Sequence, residues 1–227
     1  MPEVPTIRVG APIVPRQSFV PVVGLDADLC DQFIRSAMAG REAPFGEVTL
    51  DRWTVQLKRM SDPPDRDPAW EPRMAIADGV ILLARFLDQL SLADLQERRR
   101  RIRSDDALPL IVLFCRPEGA REFKIGCPTC RQKMWVQDAE IGKRGRCVHC
   151  DGLIDIVSPA DLLRRELRLA DRVPILSVDP CDAGLCRGAV ANLLARKGYG
   201  LNAGALSPGD FMKKSTVPIL PQTPTPS

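Results

Sequence analysis

The stretch LIVLF at residues 110–114 is an unbroken apolar run that directly follows Pro109. It is rich in β-branched and large aliphatic side chains, which is typical of a strand covered on both faces. Three further runs have a similar character, namely FVPVV at 19–23, GVILL at 79–83 and VPILSV at 173–178. Together the four runs predict the buried strands of a parallel sheet.

The segments between these runs carry helix signals. Ser91 precedes LADLQE at 92–97 and Ser158 precedes LLRREL at 162–167, each with an acidic residue three positions later. Both serines are predicted to be N-caps, and a last helix is predicted over 184–196. Alternation of strands and helices predicts an α/β fold, a mostly parallel sheet flanked by helices.

Two further segments alternate apolar and polar residues, EVTL at 47–50 and WTVQL at 53–57. This pattern predicts an edge pair of strands with one face toward solvent. Proline is concentrated at both ends of the chain, so residues 1–16 and 201–227 are predicted to be Pro-rich, disordered tails. A tail of this composition could also be a ligand for a partner, and that alternative stays open.

The overall composition excludes some functions. The 227 residues are 44% hydrophobic and 27% charged, with a net charge of +3. So small a net charge excludes coating of nucleic acid or anionic lipid through overall charge, although a local basic patch could bind either. No apolar run approaches the ~18–20 residues needed to span a bilayer, and no signal peptide is evident. We therefore expect a cytoplasmic protein, in which structural disulfides are rare.

Four of the eight cysteines form a pair of C-x-x-C motifs. CPTC at 127–130 and CVHC at 147–150 are separated by sixteen residues. Cysteines three positions apart can bind one metal within a tight turn, and a second such turn completes a tetrahedron. The spacing therefore predicts a structural zinc site with Cys127, Cys130, Cys147 and Cys150 as ligands. His149 is predicted to lie outside the ligand shell.

The segment also resembles bacterial zinc ribbons of the form C-P-x-C-x5-V…G-K-x-G-x-C-x-x-C. The matching residues beyond the cysteines are Val136, Gly142, Lys143, Gly145 and Arg146. A catalytic metal would need an open coordination position, which four protein ligands do not leave.

The predicted ribbon is locally basic and contains Trp135, which leaves two interpretations. Either these side chains bind nucleic acid, or the cations offset the thiolates and Trp135 packs against the rest of the domain. The basic residues are Arg121, Lys124, Arg131, Lys133, Lys143, Arg144 and Arg146.

The order of elements around the ribbon resembles that of the Ras-like small GTPases. FVPVV and the residues after it lie where that family has its first strand, phosphate loop and first helix, and the pair at 47–57 lies where it has strands two and three. The resemblance implies a GTPase-like α/β domain over 17–118 and 152–200. The small zinc ribbon, over 119–151, would be inserted after the fifth strand.

Each nucleotide-binding motif of that family is changed here. The phosphate loop G-x-x-x-x-G-K-[ST] keeps only Gly24, with Leu29, Cys30 and Asp31 at its other key positions. Where the family has N-K-x-D, this chain has CRPE at 115–118, and where the family has S-A-K it has DPC at 179–181. In place of D-x-x-G it has DPPD at 62–65, which lacks the glycine. Near a bound polyphosphate, each acidic group of this loop would cost about 4 kcal/mol at ~4 Å and an effective dielectric near ~20.

The resemblance therefore implies a pseudo-GTPase, an interaction or adaptor module that neither binds nor hydrolyses GTP. It would serve a larger bacterial assembly and bind a protein partner, for which a true GTPase is one candidate. A zinc-ribbon nucleic-acid-binding protein is the alternative function. A receiver-like signalling domain is the second alternative, although Ala84 and Arg85 occupy the place where a phosphoacceptor aspartate would follow GVILL.

The remaining cysteines and one arginine run have simpler interpretations. Cys30, Cys115, Cys181 and Cys186 are predicted to lie near the carboxyl ends of strands, where a second metal or redox site is the alternative to plain packing. The arginines at 98–101 are predicted to form a solvated helix face.

Overall fold

The computed structural model describes residues 16–38, 46–50, 53–62, 65–102, 108–117 and 119–197. The two predicted tails lie outside these residues, except for Arg16. None of the described helices is long and apolar enough to cross a membrane. In chain order the elements are β1 (Arg16–Val23), α1 (Ala27–Met38), β2 (Glu47–Leu50), β3 (Trp53–Met60), α2 (Trp70–Ala75), β4 (Val80–Ala84), α3 (Gln89–Arg101), β5 (Leu110–Cys115), β6 (Glu122–Gly126), β7 (Lys133–Gln137), a 3-10 turn (Asp138–Glu140), β8 (Arg144–Arg146), β9 (Leu153–Asp155), α4 (Pro159–Glu166), β10 (Ile175–Val178) and α5 (Ala183–Arg196).

Six strands form one sheet in the order β10-β5-β4-β1-β3-β2. All neighbours are parallel except β2 and β3, which are antiparallel. The predicted α/β fold, with a mostly parallel sheet flanked by helices, is confirmed. The predicted pair β2–β3 lies at one end of the sheet, where β2 is the outermost strand and β3 also pairs with β1 along eight residues.

The two faces of the sheet are buried against different elements. Along β4, Ile81 and Leu83 face α1 and α5, whereas Val80 and Leu82 face the core that contains residues of α3 and α4. These four side chains are at most 1% exposed. Burial on both faces explains why the strand sequences are continuous apolar runs rather than alternating ones.

Helix starts follow the capping rules, with one shift. Ser158 caps α4 as predicted, accepting a hydrogen bond from the Asp161 N–H. Ser91 does not cap α3: Asp88 does, and its carboxylate accepts from both the N–H and the hydroxyl of Ser91. The ionised carboxylate is the stronger acceptor, so α3 begins at Gln89.

The ribbon consists of two small antiparallel sheets, β6–β7 and β8–β9. Strand β9 lies beyond residue 151, so its pairing with β8 extends past the predicted boundary of the ribbon. Buried residues of both sheets, among them Phe123, Ile125, Val136 and Ile154, belong to the apolar cluster that also contains β4, α3 and α4. The ribbon is therefore part of the protein core and not only a module tethered at a loop.

Gly46 and Gly119 provide a matched pair of stability tests. Both have positive φ, +90° and +74°. A Cβ added at Gly46 would clash with the Leu57 carbonyl oxygen, whereas a Cβ added at Gly119 would have no atom within 4 Å. We expect Gly46→Ala to lose about 2–3 kcal/mol of unfolding free energy and Gly119→Ala about 1 kcal/mol. Thermal unfolding measures both, and equal losses would contradict the packing argument.

Candidate metal centre

The two C-x-x-C turns have the same backbone hydrogen bonds. The Arg131 N–H donates to the Cys127 carbonyl at 2.9 Å, and the Asp151 N–H donates to the Cys147 carbonyl at 2.9 Å. Arg131 and Asp151 are also two of the non-glycine residues with positive φ, 62° and 58°. Left-handed backbone at such residues costs about 1 kcal/mol or more. The matching strain indicates that both turns are shaped for the same task.

The four cysteine sulfurs converge. Sulfur–sulfur distances are 3.7 Å for Cys127–Cys150 and 3.7 Å for Cys130–Cys147, and all four ligand atoms lie within 4.8 Å of one another. A disulfide would need ~2.05 Å, so these are separate thiols. Among the described residues, this is the one group of three or more His, Cys, Asp or Glu side chains placed to hold a metal ion.

The electrostatics of the cluster also favour a cation. The Cys130 N–H, against the effect of burial, lowers the pKa of the Cys127 thiol to about 6. The Gly152 N–H acts on Cys150 in the same sense, but the neighbouring Cys130 thiol, burial and the Cys127 thiol raise the pKa of Cys150 to about 12. Four thiolates so close repel one another, and a bound divalent cation would remove that repulsion.

His149 lies outside this group. Its side chain is exposed, while its backbone N–H donates to the Cys147 sulfur at 3.4 Å. The N–H groups of Thr129 and Cys130 act in the same way on Cys127. Hydrogen bonds of this kind stabilise a thiolate and so belong to the ligand environment.

The ribbon is anchored beside the start of α3. Leu87 and Ile125 form a parallel bridge, and Lys133 Nζ lies 3.1 Å from the Asp88 carboxylate, whose side chain is only 5% exposed. A Cβ on Gly126 would lie 3.3 Å from Asp88 Cα. The metal turns are thus joined to α3 by backbone, ion-pair and close-packing contacts.

In the loop after β1, the position of the expected phosphate loop, side chains of the loop and of α1 contact the backbone. The Asp26 carboxylate accepts hydrogen bonds from the Asp28 N–H at 2.9 Å and the Leu29 N–H at 3.2 Å, at the start of α1. A Cβ on Gly24 would lie 2.7 Å from Cys30 Sγ, so the Cys30 side chain lies directly against this glycine.

Arginines balance the acids of this loop. Arg85 Nη1 lies 3.4 Å from the Asp26 carboxylate, and Arg59 Nη1 lies 2.5 Å from that of Asp31. The paired carboxylates of Asp26 and Asp31 would therefore repel a phosphate by less than the ~4 kcal/mol expected for an unpaired acid at ~4 Å.

The other four cysteines are placed as expected near the carboxyl ends of strands, but they do not form a second metal group within the described residues. Cys30, Cys115 and Cys186 are buried, and burial raises the pKa of Cys30 and of Cys186 to about 12. These thiols are protonated and apolar in effect. Cys181 is exposed and accepts a hydrogen bond from the Gln32 side chain.

Sequence reasoning missed a cleft of about 530 Å³ between α3, the first metal turn, β9 and α4. Apolar side chains such as Leu92 and Leu162 line it together with the polar Gln96 and Arg165. No single sequence motif predicts this cleft, because its walls come from segments that are distant in sequence.

Two single substitutions separate the metal ligands from the other thiols. We expect Cys147→Ser to abolish binding of about one metal ion per chain and to lower the unfolding temperature strongly, because structural metal binding contributes on the order of 10 kcal/mol in small modules. Cys181→Ser, outside the group, should change neither. Elemental analysis and thermal unfolding measure the two effects. Metal retained in Cys147→Ser would contradict the assignment.

The Lys133–Asp88 pair can be tested by a double-mutant cycle with Lys133→Gln and Asp88→Asn. We expect a coupling energy of about 0.5–1 kcal/mol in the metal-loaded protein and none after chelation, because the metal holds β7 against α3. Denaturant unfolding measures it. Equal coupling in both states would show that the ribbon stays anchored without metal.

In the comparison with known proteins, no family model matches this chain, and no curated protein matches it.

Proposed function

We propose that this protein is a non-catalytic interaction module with a GTPase-like scaffold, a nucleotide site closed by its own side chains and one structural zinc ion. The strand order, with an antiparallel pair at one margin, is compatible with the expected resemblance to small GTPases. A receiver-like sheet, in which the strands run parallel, fits this antiparallel pair less well.

The observation that carries the proposal is the Asp26 carboxylate at the start of α1. The first N–H groups of a helix, with its dipole, form a natural site for phosphate. Here Asp26 accepts from two of them, and Cys30 fills the space against Gly24. A nucleotide phosphate would have to displace a tethered anion and a buried side chain.

Side chains in the region expected to contact guanine also form hydrogen bonds within the protein. Arg116 donates to the Asp138 carboxylate at 2.9 Å and to the Ser177 hydroxyl at 3.1 Å. The Asp179 carboxylate accepts from the Cys181 N–H at 2.8 Å. These hydrogen bonds occupy polar groups that would otherwise be available to hydrogen-bond a nucleotide base.

Zinc is the metal that the donor set favours. Tetrahedral bonds of ~2.3 Å place sulfurs ~3.8 Å apart, close to the 3.7 Å of the two measured pairs. Four thiolates are typical of zinc or iron centres, and sulfurs this close leave room for a single ion. With every position filled by protein, the ion would be structural. Reduced thiols agree with the expected cytoplasmic location.

A protein partner follows from the resemblance, and a true GTPase of a bacterial assembly is one candidate. The β8–β9 half of the ribbon gives little support to nucleic-acid binding, because Arg144 pairs with Asp155 and Arg146 with Asp151, each at 2.7 Å.

Calorimetric titration tests the proposal. We expect no binding of GTP, GDP or ATP with Mg²⁺ tighter than about 100 μM, because the phosphate position is occupied from within. A nucleotide that binds more tightly would refute the closed site, whatever the metal content of the protein.

The same loop yields a stability test. Asp26→Ala should lower the unfolding free energy by about 1 kcal/mol through loss of the cap, whereas Asp28→Ala, an exposed acid of the same helix turn, should cost less. Urea unfolding compares them. A larger loss in Asp28→Ala would show that Asp26 is not the cap.

A further inference from the structure

The outward face of the β6–β7 sheet carries an exposed aromatic ring. Trp135 is 57% exposed, so the expectation that it packs against the domain is wrong. In the strand register Lys124 stands directly opposite Trp135, and its ammonium lies 4.6 Å from the ring centroid. Phe123, Ile125 and Val136 point to the opposite, buried side.

A second ring continues this face. Phe86 is 38% exposed, and both Lys133 and Arg85 lie over its ring, at 5.5 Å and 5.4 Å from the centroid. Lys133 stands two residues before Trp135 on the same side of β7, about 7 Å away along the strand. Rings and cations therefore alternate from Phe86 through Lys133 to Trp135 and Lys124.

The charges of this face differ from those of the β8–β9 half. Among the described residues, Lys124, Arg121 and Arg131 form no ion pair with an acidic side chain, and the latter two stand at opposite ends of the hairpin. Lys133 pairs with the buried Asp88, and Glu122 is an acid on the same side of β6 as Lys124. Within the described part of the chain, Lys124 is thus a cation that no ion pair neutralises, beside an exposed ring.

We propose that this face, the Trp135 face, binds single-stranded nucleic acid. Its alternation of rings and cations complements a chain in which planar bases alternate with phosphates. An acidic peptide would satisfy the cations but leave the rings exposed. A duplex keeps its bases stacked and out of reach of Trp135. This inference does not depend on the closed nucleotide site.

Fluorescence reports on this face selectively. The chain has three tryptophans, and Trp53 and Trp70 are at most 3% exposed. Quenching of Trp fluorescence by an oligothymidylate or oligouridylate of about 12 nucleotides therefore reports on Trp135, and anisotropy of the labelled strand gives the affinity. We expect quenching, and an affinity that falls with added salt.

Variants of the zinc-loaded full chain test the contacts. Trp135→Ala should weaken binding at least about fivefold and Trp135→Phe by less, because a phenyl ring still stacks. Lys124→Gln should weaken binding and reduce the salt slope by about one. Lys143→Gln, the same charge change on the other half of the ribbon, should alter neither. Metal content and melting temperature check the fold of each variant, and Lys124→Gln carries the test if Trp135→Ala misfolds.

Several results would overturn the proposal. Among them are no anisotropy change at about 100 μM protein in low salt, and equal losses in Lys124→Gln and Lys143→Gln. Equal competition by polyglutamate would assign the face to an acidic protein instead, and equal competition by a duplex of the same length would exclude single-strand recognition.

Discussion

Four thiols within 4.8 Å of one another cannot all ionise unless a cation shares their charge, and much of one side of the protein depends on that constraint. The sulfurs lie between two turns that contain left-handed, non-glycine residues, and those turns adjoin strands whose inner side chains reach the core. Phe123, Ile125 and Ile154 lie in the same apolar cluster as Leu82 of the central sheet. Removing the charge balance would therefore loosen a shared core and not just an appendage.

The two halves of the ribbon use their polar groups differently. In the β8–β9 half, arginines and aspartates of the same sheet pair with each other. In the β6–β7 half, Lys133 lies beside Asp88 just before α3, and Arg116, just after β5, pairs with Asp138, just after β7. The ion pairs of the β8–β9 half are thus internal to that half, whereas those of the β6–β7 half join it to the rest of the domain, although both halves contribute apolar residues to the shared core. This division follows from where β6 enters the core, beside Leu87.

Patterns within short segments predicted the features that depend on those segments alone. The C-x-x-C spacing predicted the cysteine group, and the continuous apolar runs predicted strands that are buried on both faces. The misses have two kinds of cause. Ser91 has a competing cap in Asp88, three residues earlier, and Trp135 is exposed because only the alternate residues of β7 face the core, so both depend on where an element begins and which of its faces is buried. Lys133, which pairs with Asp88, is distant in sequence, and no residue next to Asp88 predicts that pair.

Asp26 gives the loop after β1 a permanent acceptor at the start of α1, which a diffusible ligand could not provide. Its carboxylate is covalently part of the chain, so the acceptor at the start of α1 cannot be lost by dissociation or hydrolysis. Under the role proposed above, the protein's output would be set by how many copies the cell makes and by the supply of metal, rather than by a cycle of loading and release.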